Sequence, residues 1–174
     1  AAFNRVPIAS GDPLDRLAAL LLDLGPVEAG GRVRALRFSR RETAAVKGLV
    51  EIVDRVRSGP PEGGWLAEDV RRMAYNAGEL LDRALDLAVA IGVDTGGLVT
   101  VVGELKGVGE LDNLGPVLDG GQVMAALDLV GGPEVGEALA WLTDLRLREG
   151  RLSVEEAEML LTDWWESREG GIST

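Results

Sequence analysis

The 174-residue chain contains no cysteine and no histidine. The first absence excludes disulfides, thiolate metal sites and thiol nucleophiles; the second removes the commonest metal ligand and the usual general base near neutral pH. Carboxylates, arginines, hydroxyls and two lysines are what remain for chemistry, so most familiar catalytic constellations are out of reach and no catalytic or metal-binding residue is expected. No apolar run approaches the length that crosses a bilayer. The opening "AAFNRVPIAS" also lacks the basic flank and long apolar stretch of a signal peptide, which makes the cytoplasm the expected address.

What is present is a chain able to bury a core. Apolar side chains make up 46% of the residues, and the length suits one ordinary domain or two small ones. The formal net charge of -11 argues against a protein that coats nucleic acid indiscriminately, because the summed field repels phosphates at long range. The charge is unevenly spread. Sixteen of the eighteen basic residues are arginine, and Arg32, Arg34, Arg37, Arg40 and Arg41 lie between Glu28 and Glu42 with no acidic residue among them. The planar fork of arginine suits bidentate phosphate contact, which makes this island an RNA or phosphate contact candidate. The competing expectation is that these arginines pair with the surplus carboxylates.

Apolar periodicity predicts helices almost throughout, and the expected fold class is all-α with no sheet of consequence. Asp12-Pro13 reads as a cap followed by proline at the first helical position, opening a helix that Gly25-Pro26 ends. A shorter helix is expected around Glu28 to Leu36, weakened by Gly30 and Gly31. Ser39 and Glu42 have capping-box spacing, and a long helix should run from there to about Arg57 with Val46, Leu49, Val50, Val53 and Val56 as its stripe. Beyond the "SGPPEGG" loop, Trp65 to Gly92 reads as two helices or one kinked at Gly78. Asp94 is a cap candidate for a further helix carrying Leu98, Val102 and Leu105. The glycine-rich "GVGELDNLGPVLDGG" is the best internal boundary, separating a helical body over 1–108 from a small three-helix tail over 118–169. The tail helices are expected to start at the Asp119 cap, at Pro133 and at the Ser153–Glu156 capping box. Gly136, in the first turn of the middle one, is expected to let a neighbouring helix approach.

Other spacings lead nowhere catalytic. "DTGG" and "LDGG" lack the strand-glycine-helix setting of a phosphate loop, and Glu155, Glu156 and Glu158 suit the N-terminal end of a helix dipole better than a metal cluster. Trp164, Trp165 and Tyr75 have rings that stack on bases, although core packing is the stronger expectation for the tryptophans.

The stretch Leu118 to Leu161 resembles the C-terminal segment of the bacterial CCA-adding tRNA nucleotidyltransferase and poly(A) polymerase family. The likeness rests on Gly120 opening a short helix, on Gly132, Val135, Gly136 and Leu139 in a Gly-x-x-Val-Gly-x-x-Leu pattern, on Gly150, and on the acidic "SVEEA". Upstream, "DPLDRLAALLLDLG" and "RALRFSRRETAAVKGLVE" resemble the same family's middle region. The His-Asp pair of many relatives is replaced by Leu22-Asp23, so a metal-dependent phosphohydrolase of that type cannot be built, and the resemblance implies for the body a degenerate version of that region without its metal site. "EDVRR", Glu68 to Arg72, mimics the family's nucleotide-selecting motif but stands after the "RLAALL" helix instead of before it.

The resemblance implies the RNA-gripping body and tail of a template-independent RNA nucleotidyltransferase, without the catalytic head. Magnesium and nucleoside triphosphate are implied only for that head; the implied partners are RNA, probable tRNA by family habit, and the head itself. Arg32, Arg34, Arg37, Arg40 and Arg41, with Arg71 and Arg72 as second choices, are the expected RNA contacts, laid against backbone phosphates. The competing reading from another class is a helical protein-interaction or oligomerisation module, which the acidic total favours.

Overall fold

The computed structural model describes residues 12–170; the opening "AAFNRVPIAS" lies outside them. Among the described residues the chain is all-helical, with no strand. Contacts divide it into two compact units, one ending at Glu104 and the other beginning at Leu105.

The first unit is organised around one long helix. Helices α1 (Pro13–Leu21), α2 (Gly25–Ala35), α4 (Ala67–Ala77) and α5 (Leu80–Ala90) all pack on α3 (Arg40–Arg57). Its buried face is broader than the expected stripe, adding Thr43 and Ile52 to the five predicted positions. A helix buried on this much of its circumference is central by necessity, since apolar groups at three- and four-residue steps must be covered from more than one side. Gly48 admits one of those neighbours closely: a Cβ there would sit 2.8 Å from Leu80 Cδ1. The Asp12 carboxylate caps α1 through the Leu14 N–H at 2.9 Å, and Arg83 of α5 reaches back to Asp12 at 2.6 Å and to Asp15 through Nε at 3.1 Å.

The Gly25-Pro26 boundary differs from expectation. Gly25-Pro26 does not end a helix and wait for another; a 3-10 turn over Leu22–Leu24 leads directly into α2, with Pro26 in its first turn. Proline is tolerated there because its missing N–H falls among donors that have no intrahelical partner. Gly78 does break the run after α4, at φ 53°. Helix α6 (Leu98–Gly107) follows, with Leu98 and Val102 buried; the Asp94 carboxylate accepts from the Gly96 N–H at 2.9 Å, in the turn before the helix.

In the second unit, α7 (Gly120–Leu127), α8 (Pro133–Glu149) and α9 (Val154–Gly170) enclose a core of Leu118, Val123, Ala138, Leu142, Leu145, Ala157 and Leu161. Trp164 packs against that core and stacks on Trp141 with ring centroids 4.8 Å apart. The expected Ser153–Glu156 capping box forms, and Asp119, expected as a cap, also closes a box with Gln122. Gly131 and Gly132 take φ of 114° and 133°, which side-chain-bearing residues rarely adopt, so the glycine pair is needed for the turn into α8. Gly136 behaves otherwise than expected. A Cβ at that position would meet nothing within 4 Å, so no helix approaches it.

Candidate nucleic-acid interface

The basic island folds into the corner between α2 and α3. Helix α2 ends in a tight turn where the Arg37 N–H donates to the Arg34 carbonyl at 2.9 Å and the Phe38 N–H to the Val33 carbonyl at 3.4 Å. That closure places Arg37 in the left-handed region, φ 64°, where glycine is the usual occupant. Ser39 then caps α3: its hydroxyl accepts from the Glu42 N–H at 3.2 Å, and the Glu42 carboxylate accepts from the Ser39 N–H at 2.7 Å. Hydrogen bonding of the carboxyl itself to Ser39, to the side-chain hydroxyl first and the backbone N–H second, holds Glu42 below its usual range. Glu42, the acidic group at the C-terminal end of the island, is therefore committed to the cap.

The corner frames an open groove of about 970 Å³. Arg34 from α2 and Arg40 and Lys47 from α3 supply its charge, and no carboxylate lines it. Val27 and Phe38 supply apolar surface, 81% and 36% exposed, and Thr43 forms part of the wall. The buried Thr43 hydroxyl has no hydrogen-bond partner. Gly30 is buried, and a Cβ on it would touch the aliphatic stem of Lys47 at 3.7 Å, so α2 packs on that stem.

The expected contacts separate into groups. Arg34, Arg37, Arg40 and Arg41 are exposed and form no ion pair among the described residues, whereas Arg32 pairs with Glu28 at 3.2 Å. Arg71 is 6% exposed and offers no surface to a phosphate. Arg72 donates to Glu68 at 2.9 Å and faces a second hollow of about 460 Å³, lined also by Arg55, Trp65 and Asp69. In that hollow Arg55 lies 4.6 Å over the Trp65 ring and donates to the Gly59 carbonyl, Asp69 accepts from the Leu66 N–H, and Glu51 adds a carboxylate to the lining. Sequence reasoning missed Lys47 and Phe38. Both were signalled: Arg40, Ala44 and Lys47 follow the four-three spacing of one helix face, and Phe38 is an aromatic ring set between Arg37 and Arg40.

Among the described residues no group of three or more carboxylates is placed to hold a metal ion, and no helix is long and apolar enough to cross a membrane. No family model, curated protein or solved structure matches the chain.

Proposed function

We propose that this chain is a noncatalytic RNA-binding unit, the body-and-tail portion of a template-independent RNA nucleotidyltransferase, holding RNA, tRNA by family resemblance, for a catalytic head that supplies the magnesium and nucleoside triphosphate chemistry. The reading gives it a cytoplasmic address. The observation that supports it is the set of cations without ionic partners among the described residues at the α2–α3 corner, Arg34, Arg37, Arg40, Arg41 and Lys47, in a chain whose net charge is -11. In so acidic a protein, carboxylates are abundant enough to neutralise these groups. Elsewhere they do so: Arg57 with Asp23 and Asp54, Arg83 with Asp12 and Asp15, Arg168 with Glu137. Leaving five cations unpaired in one corner keeps their donors available to phosphate oxygens.

The test is tRNA binding by fluorescence anisotropy across a salt series. Affinity should fall steeply between about 50 and 200 mM salt, and each arginine contact removed should lower the log–log slope by about one. The combined Arg37→Ala, Arg40→Ala, Arg41→Ala variant should bind weakly at every salt concentration. Salt-insensitive binding, or an unaltered variant, rules the proposal out. Self-association in sedimentation with no response to RNA would favour the interaction-module reading instead.

A further inference from the structure

We infer that the α2–α3 groove takes one unpaired nucleotide of the RNA, with its phosphate among Arg34, Arg40 and Lys47 and its base against Phe38; this rests on the RNA reading above. The groove has two chemistries side by side. Its three cations, with no carboxylate among the described residues that line it, suit a phosphate, and its volume of about 970 Å³ has room for one nucleotide. The apolar half is unexplained by phosphate contact alone. An A-form duplex presents phosphates and ribose hydroxyls to a surface like this one, and would press charged groups against Phe38 and Val27 or leave them in water. An unpaired base presents a π-face that stacks on a ring.

The four tryptophans are engaged within the protein. Trp65 is buried under Arg55, and Trp141 and Trp164 stack on each other in the second unit, with Trp165 against Trp164. Phe38 instead shares a groove with cations that have no ionic partner among the described residues. It is also held in place beforehand. Its backbone is fixed on one side by the N–H bond to Val33 and on the other by the Ser39 capping box, so no loop has to be ordered before a base meets the ring.

The experiment compares a short single-stranded RNA oligonucleotide of mixed sequence with the duplex it forms with its complement, each titrated with the full chain. The variants are Arg34→Ala, Phe38→Ala and Phe38→Leu, the last keeping apolar bulk so that folding is preserved while the π-face is lost. The single strand should bind about tenfold tighter than the duplex, and both Phe38 variants should weaken the single strand by about tenfold without changing duplex binding. Arg34→Ala should weaken both ligands. Equal affinity for the two ligands, or Phe38→Leu binding the single strand as the wild type does, overturns the nucleotide assignment. The RNA reading survives that result if Arg34→Ala still lowers affinity, and it falls separately if the wild type binds neither ligand.

Discussion

Arg146 and Glu110 form a buried pair that joins the second unit's first turn to its central helix. Arg146, 2% exposed, donates through Nη1 to the Glu110 carboxylate at 2.8 Å and through Nη2 to the Glu110 carbonyl at 2.7 Å. The same carboxylate accepts from the Arg151 N–H at 3.2 Å, so one glutamate anchors a turn to the end of α8. Glu110→Ala leaves a buried guanidinium without its counter-charge and should cost about 3 kcal/mol. Urea unfolding followed by the fluorescence of Trp141, Trp164 and Trp165 measures it. An Arg146→Met, Glu110→Leu double variant should recover most of the loss; one as unstable as Glu110→Ala would show that the charge is not the cause.

Arg37 occupies a backbone conformation that favours glycine, φ 64°, at the end of α2. Arg37→Gly relieves that conformation, and after allowance for the greater freedom of glycine in the unfolded chain it should raise stability by about 0.5–1 kcal/mol. RNA affinity should fall at the same time, because a cation is lost from the corner. A variant that melts lower than the wild type contradicts the backbone argument.

The unpartnered Thr43 hydroxyl makes a prediction of opposite sign from most core substitutions. Thr43→Val keeps the shape of the side chain and removes a buried group without a hydrogen bond, so the free chain should gain about 1 kcal/mol. Thermal melts of Thr43→Val beside Thr43→Ser, which keeps the hydroxyl, isolate that contribution. A loss of stability in the valine variant would mean that the hydroxyl is satisfied in solution.

Two capping boxes give the protein an acid-sensitive component. Glu42 is held below its ordinary range by the Ser39 hydroxyl and N–H, and Glu156 by the Ser153 N–H and hydroxyl. In the unfolded chain these carboxyls titrate near about 4.3, so the unfolded state takes up protons first as the pH falls. Their contribution is present above that value and lost as the pH drops through the lower folded ones. Replacing both by glutamine, which retains a capping acceptor, should flatten the fall in stability between about pH 5 and pH 3. Melting curves across that range decide it: an acid limb as steep as the wild type's removes these two glutamates from the account.

Much of the helical pattern was legible because its signals close within a few residues. Ser39 with Glu42, Asp119 with Gln122 and Ser153 with Glu156 each satisfy the first turn of their own helix, and Gly78 breaks the chain by its own φ. Gly25-Pro26 was misread as a stop because the same dipeptide serves equally to begin a helix, and only the 3-10 turn before it distinguishes the two. Gly136 was read as a packing position, yet the space beside it is open, while Gly48, which drew no attention in the sequence, faces Leu80 at a distance no Cβ tolerates.

For the groove, the sequence alone determined that five arginines stand together without intervening acids, and local spacing placed them near a helix start. Which of them remain without ionic partners is a tertiary outcome. Arg32 finds Glu28 one turn away along α2, Arg71 is drawn into the interior, and Arg34 meets Arg40, Lys47 and Phe38 only because two helices fold against each other across a short turn. Caps and periodicity are local and survive in any context; ion pairing and burial depend on what the rest of the chain brings alongside, which is why the elements were readable in advance and the groove was not.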